Sequence, residues 1–388
     1  ESFDVPQPPE GMTLSYGLPA HADDFSGIDK AIDRFRAGMI NNATYVYDFP
    51  RQVRLGFTYD HTTARPAMAE AGILTQGHPE AYRGNNRELR RKYPDKPEGR
   101  FVNAEGNVSN AFSYHFPPLK ESAEKYLRER MQKYLDSPLG ETYGQWRCSV
   151  EDGGLLDYST YAVNAFQDWL KDKHEDVATL NRRWNAEYES FDDIQPPRSF
   201  EDGRAGWLEF RDFSGWTYAQ AVARQIPIIK QMDPLDRDCM GANSNLDTFS
   251  PYFSKLRPLD LDELYNTAYR NERYVAWDTY CADDQLANEI ELISSMAPWA
   301  RPIIQEWSNH VADPRLAARS YWTWVSKGAA GIFLFMFQEG TFHASYPKWG
   351  LQNQQREPRQ KLAAYADAAH EVHRLEPMLM CAQRKDPT

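Results

Sequence analysis

Gln145-Trp146-Arg147-Cys148-Ser149-Val150 runs into Glu151, and Pro302-Ile303-Ile304-Gln305 runs into Glu306. Each run reads as a parallel strand buried on both faces, with a carboxylate at its C-terminal tip. The same pattern recurs nearby. Residues 239–242 lead to Asn243, 274–277 to Asp278 and Tyr280, and 331–337 to Gln338 and Glu339. Amphipathic spacing predicts helices over 120–135, 158–173, 177–184, 285–295, 314–327 and 356–375. Apolar strands alternating with such helices imply a parallel sheet covered on both faces. About eight strands can be counted, so the expected fold is α/β, a (β/α)8 TIM barrel, with long inserted loops after strands three and four.

Further out, residues 13–18 and 43–49 read as the first two strands, and 73–76 as the third. Helical spacing of Ile28, Ile32, Phe35 and Met39 predicts a helix over 26–39, and 67–71 a short one stopped at Gly72. Residues 82–118 are polar and read as a long loop, and 190–204 as a second excursion. Residues 207–232 read as one long helix kinked at Pro227. The domain reading is a Pro-rich linker over 1–12, a barrel over 13–378, and a polar tail over 379–388 leading to a further domain.

The chain has 388 residues, enough for one large barrel, and its 41% hydrophobic and 26% charged content is that of an ordinary globular protein. A net charge of −12 argues against a nucleic-acid partner. No apolar run reaches the ~18 residues of a membrane-spanning helix. The cysteines at 148, 239, 281 and 381 form no CxxC pair. Eleven Trp and 22 Tyr suit either an aromatic core or platforms for sugar rings.

Paired carboxylates at the mouth of a barrel are the machinery of glycoside hydrolysis. One must stay protonated to protonate the leaving oxygen, and the other must be ionised to attack the anomeric carbon. Tyr280 is placed to donate to Glu306 and keep it ionised, while Trp146 and Val150 set apolar groups beside Glu151, raising its pKa as an acid requires. A separation of ~5–5.5 Å would give retention through a covalent glycosyl-enzyme. Strand-end Asp residues such as Asp152, Asp157 and Asp278 serve equally well as helix caps, but Glu caps poorly. The chain contains no GxSxG, P-loop, GxGxxG or HExxH. No cofactor or bound metal is expected, although His21 and His78 leave a metal-dependent barrel enzyme as a rival reading.

At these residues the chain resembles the family 42 glycoside hydrolases, a β-galactosidase-like group. Lys92-Tyr93-Pro94 and Asn103-Ala104-Glu105-Gly106 look like that family's loop after the third strand. Glu151, then Phe166-Gln167-Asp168-Trp169-Leu170 and Leu180-Asn181-Arg182-Arg183-Trp184-Asn185, are similar to its strand-four glutamate and helix pair. Trp277-Asp278-Thr279-Tyr280, the run into Glu306, and 328–337 with Glu339 and Phe342-His343 resemble its last three strand ends. The resemblance implies a (β/α)8 barrel, with Glu151 as acid/base, Glu306 as nucleophile, and Tyr280, Glu339 and His343 as sugar contacts. Trp307, Asn243, Trp146 and His310 join them as substrate-binding candidates from their places near strand ends; Arg83, Arg147 and His310 are candidate anchors for an anionic substituent.

Two departures stand out. Val150 occupies the place of an Asn that contacts the sugar 2-hydroxyl in the family, and Phe112 or a neighbour replaces an expected Arg. The expectation is a retaining β-glycoside hydrolase acting on β-linked galactosyl or related units of an oligo- or polysaccharide, such as a modified algal galactan. A catalytically inactive carbohydrate-binding barrel is the alternative that Val150 supports. The expected partner is carbohydrate, with no nucleic acid and no membrane; the resemblance leaves room for a homo-oligomer, and a secreted or periplasmic location is favoured.

Overall fold

The computed structural model describes residues 37–39, 66–81, 91–92, 96–150, 153–242, 258–279, 283–308, 313–335, 350–351, 353 and 357–381. In chain order the strands are β1 (Ala37–Met39), β2 (Thr75–Gly77), β3 (Arg100–Val102), β4 (Val108–Phe112), β5 (Tyr143–Val150), β6 (Cys239–Ala242), β7 (Tyr274–Thr279), β8 (Arg301–Ser308) and β9 (Gly331–Phe335). Two parallel sheets carry the fold, ordered β1-β9-β8-β7 and β2-β5-β6; β3 and β4 form a separate antiparallel hairpin.

The first described strand pairs with the last, Ala37 opposite Ile332 and Met39 opposite Leu334. In an open sheet built in chain order these two would be opposite edges; their pairing is the neighbour relation that a closed barrel requires. Gln76 of β2 also reaches Gln305 of β8, so the two sheets share one interior. Among the described residues the cylinder is not closed by ladder pairing. β6 and β7 lie side by side in different sheets, and β1 and β2 are not paired with each other.

Burial follows the strand period of two. Met240, Tyr274, Ala276, Ile303 and Phe333 gather with Ile73, Leu74 and Met68 in the interior. Val275, Trp277, Ile304, Ile332 and Leu334 belong to the larger core beneath the helices. The helices are α1 (Pro66–Ala71), α2 (Pro117–Leu135), α3 (Thr160–Lys173), α4 (Val177–Trp184), α5 (Arg204–Ala223), α6 (Gln225–Met232), α7 (Leu261–Ala268), α8 (Asp283–Met296), α9 (Pro314–Ser326) and α10 (Gln360–Cys381). α2 shows why they dock: Leu119, Ala123, Leu127 and Met131 recur every fourth residue and are fully buried. Capping side chains start several of them: Ser159 for α3, Asp176 for α4, Asp260 for α7 and Asp313 for α9.

The structure corrects several sequence expectations. The helix predicted over 26–39 does not reach its expected end, because Ala37–Met39 is strand β1, where ladder bonds to β9 override local helical spacing. The segment 82–118, expected to be loop, holds the β3–β4 hairpin and the start of α2. Its turn closes at Gly106, at φ +84°. After β5 the chain builds α3 and α4 around a separate core of Phe166, Leu170, Leu180, Ile194, Phe210 and Phe213. The long helix of 207–232 is two, α5 and α6, divided at Arg224; Pro227 has no N–H to give to the Ala223 carbonyl, which is where the ladder breaks. The strands expected at 13–18 and 43–49 lie outside the described residues.

Candidate active site

Parallel strands place all their C-terminal ends on one rim, so β5, β6, β7, β8 and β9 deliver their following residues to a common side. Glu306 lies within β8, with Asp278 of β7 opposite it. Glu151 follows directly on Val150, the last residue of β5, but Glu151 itself lies outside the described residues. So do Asn243, Tyr280, His310, Glu339, His343 and Arg83; of Glu306 only the backbone is described. The strands that precede Asn243, Tyr280 and His310 end together on the rim.

Immediately below the rim the interior is polar. Gln76 Nε2 donates to Gln305 Oε1 at 2.9 Å, and Gln305 Nε2 faces Met240 Sδ. Both glutamines are 1% exposed. Asp278 and Arg147 are also buried at this end of their strands, Arg147 at 3% exposure; that burial sets it inside the wall rather than in a cleft open to an anionic substituent.

Trp146 and Trp307 were expected as sugar contacts, and the structure puts both in the core with no ring face toward solvent. Trp146 lies among Tyr134 and Tyr143 under Gly77, where an added Cβ would come within 2.2 Å of its ring. Its Nε1 donates to Asp233 Oδ2 at 2.7 Å, and Arg237 lies over its face. Trp307 meets Trp324 edge-on at 4.6 Å beside Tyr365. The sequence pattern put these rings near the strand ends but could not say which face they take. Phe112 is likewise core, stacked on Phe116 at 5.4 Å with the Arg100 guanidinium over it.

The segment that follows Glu151 is tied down on two sides. Gly154 N donates to Pro258 O, and Asp157 Oδ1 accepts from Val102 N of the hairpin and from Ser159 N at the start of α3. Tyr158 N donates to Val102 O, closing the contact between hairpin and segment. Burial pushes the Asp157 carboxyl up, against the hydrogen bonds from Ser113, Ser159 and Val102 that favour its ionised form. Sequence reading offered Asp157 as a helix cap; the cap of α3 is Ser159, and Asp157 instead holds the backbone of Ser159 and of the hairpin. Gln76, Gln305 and Gly154 were not singled out at all; the Gly153-Gly154 pair after a strand is the signal that could have found the last.

Nearby, His115 Nε2 lies 3.1 Å from Thr217 Oγ1 and its ring stacks on Phe213. Burial first, then the charges of Lys120 and Arg224, lower its pKa from 6.5 to about 4. Among the described residues no group of His, Cys, Asp and Glu is arranged to hold a metal ion. His78, a member of the rival metal reading, exchanges backbone contacts with the Tyr134 hydroxyl.

Comparison with known proteins gives a consistent picture. A family model described as "Beta-galactosidase", of glycoside hydrolase group 42, matches residues 89–375. The β-galactosidase BbgII of Bifidobacterium bifidum is 22% identical over 346 residues, covering 84% of this chain and 44% of its own length. Among solved structures, the β-galactosidase of the psychrophilic Marinomonas ef1 superposes with a TM-score of 0.67 at 16% identity, over 88% of this chain and 60% of that one. An exo-β-agarase superposes with a TM-score of 0.58 at 13% identity, over 85% of this chain and 46% of that one. The chain thus spans roughly half the length of the relatives it matches.

Proposed function

The chain belongs to the family 42 glycoside hydrolases, and from that premise we propose that it is a retaining β-glycoside hydrolase, with Glu306 as nucleophile and Glu151 as acid/base. The observation that carries the reading is the place of Glu306. It lies on a parallel strand, at the rim end, opposite Asp278, inside the stretch the family model covers. The whole of 13–378 forms the catalytic barrel in this reading. Glu151 leaves the end of β5 on the same rim, so the two carboxyls face a shared pyranose at ~5–5.5 Å. Glu306 attacks the anomeric carbon while Glu151 protonates the leaving oxygen. A water deprotonated by Glu151 then releases the sugar with its configuration kept.

The substrate is a β-linked galactosyl unit of an oligo- or polysaccharide. Val150 in place of the family's Asn removes a 2-hydroxyl contact, which favours a modified galactan over a plain galactoside. The fold likeness to an exo-β-agarase points the same way. Tyr280, Glu339 and His343 line the subsite in this reading, with Asn243 and His310 beside them.

The test is replacement of each glutamate in turn. Glu306→Gln and Glu151→Gln should each lose turnover on galactan oligosaccharides by at least about a thousandfold while melting at the wild-type temperature. Azide added to Glu306→Ala should restore turnover and yield a glycosyl azide of inverted configuration. Wild-type activity in either Gln variant removes the assignment. Galactan binding by the native chain without cleavage of any glycan would instead favour the inactive binding barrel to which Val150 lends support.

A further inference from the structure

β8 holds one residue more than either neighbour where it reaches Glu306. Against β7, Trp277 pairs with Ile304 and Asp278 with Glu306; against β9, Ile304 pairs with Ile332 and Trp307 with Leu334. The faces agree with this register. Ile303 belongs to the interior and Gln305 meets interior partners, while Ile304 and Trp307 both lie in the layer beneath the helices. Strict alternation would give Trp307 the face of Gln305. It takes the opposite face, so the extra place falls at Gln305–Glu306. This is a bulge, a device that re-aims residues beside active sites.

A bulge needs a reason not to relax. Slipping the end of β8 by one residue would restore regular pairing and exchange the faces of everything beyond the slip. Trp307 is held on one side by Trp324 and Tyr365. Gln305 is held on the other by Gln76, which comes from β2 across the interior. Both amides are buried, and among the described residues Gln76 Oε1 has no hydrogen-bond partner of its own. Drawing Gln305 away from Gln76 would leave two buried amides unsatisfied, so the slipped register is disfavoured. Gln76, Met240 and Gln305 sit on alternate strands round the arc, the layering that a barrel interior uses.

We propose that Gln76 and Gln305 are positioning residues for Glu306: their amide–amide hydrogen bond locks the β8 bulge and so fixes the backbone from which the nucleophile projects. The proposal rests on the nucleophile reading above. Gln76 touches no substrate; it acts through Gln305.

The test compares Gln76→Met, Gln305→Met and the double variant, since Met keeps the volume and removes the amide. Each single variant should lose kcat by about tenfold or more with KM within about twofold, and shift the acidic limb of the pH–rate profile. The double variant should recover the melting temperature, because neither amide is left unpaired, yet not recover kcat. Wild-type kcat in the single variants, or recovery of kcat together with melting temperature in the double, overturns the proposal. A crystal structure of Gln76→Met gives a readout free of turnover. Asp278 should no longer face Glu306, and an unchanged β7–β8 and β8–β9 register overturns the proposal. If Glu306→Gln is itself fully active, the nucleophile assignment fails, and the register in that crystal still decides the role of the glutamine pair.

Discussion

The backbone amide of Gly154 donates to the carbonyl of Pro258 at 2.6 Å, and the carbonyl of Ser214, from α5, packs against it as well. An added Cβ would lie 2.4 Å from Ser214 O and 2.6 Å from Pro258 O. Both are backbone atoms, so relief requires moving a helix or the chain before α7. Gly154 stands three residues beyond Glu151, the proposed acid/base, so that movement is expected to reach it. Gly154→Ala is expected to lower kcat by about a hundredfold, the cost of a displacement near 1 Å, and to cost about 1–3 kcal/mol in stability by overpacking. Steady-state kinetics beside urea unfolding check both; a wild-type kcat would show that the clamp does not reach Glu151.

His115 should make the fold acid-sensitive. Its pKa falls from 6.5 to about 4 through burial and the charges of Lys120 and Arg224. The folded value lies below the unfolded one, so the fold holds the neutral ring. That contribution is whole above about pH 6.5 and is lost as the pH falls toward 4. By linkage the span amounts to about 3 kcal/mol. His115→Gln keeps a partner for Thr217 and removes the titration. Urea unfolding at steps from pH 7 to 4 should show the wild type losing about 3 kcal/mol more than the variant; parallel curves would exclude His115 as the source.

Much of this architecture is legible in the sequence where local pattern and tertiary demand agree. The helix over 177–184 has a capping Asp176 before it and Asn185 in the left-handed conformation after it, and the structure gives the same limits. The strand over 239–242 matches as well. Legibility fails where partners are distant. Ala37–Met39 is a strand because β9 lies beside it, nearly three hundred residues away in the chain. The β3–β4 hairpin escapes notice because residues 108–111 are exposed or half-buried, so they carry no apolar alternation. α7 escapes notice because it is only eight residues long. At the site, sequence marks Glu306 but not its bulge, since an extra residue in one strand is defined only by the register of its neighbours. It also marks Trp146 and Trp307 by type while leaving their faces undecided.

The burial of Trp146 separates a structural ring from a sugar platform. Trp146→Phe removes the hydrogen bond to Asp233, which still accepts from the backbone of Leu235 and Arg237. The expected cost is about 1–3 kcal/mol in stability from the lost bond and the smaller ring, with KM on galactan oligosaccharides within about twofold of wild type. A tenfold rise in KM at unchanged melting temperature would return the ring to the substrate-binding set.

β6 and β7 meet along a seam. No ladder joins these strands; two carboxylates do so at their starts. Glu272 Oε2 accepts from Cys239 N at 2.7 Å, and Asp238 Oδ1 accepts from Arg273 N at 3.2 Å, so each strand caps the other. Lys230 from α6 closes on Glu272 at 3.1 Å, and Arg273 on Asp238 at 2.8 Å. Glu272→Ala leaves a buried amide without its acceptor and Lys230 with only Asp236, which is expected to cost about 2–4 kcal/mol. Glu272→Gln keeps an acceptor for Cys239 and should cost less. The seam lies at the N-terminal ends of the strands, away from the rim, so kcat per folded molecule should stay at the wild-type value in both variants. Urea unfolding read beside kcat tests the division of labour: a kcat that falls with stability would mean that the seam sets the rim as well as the base.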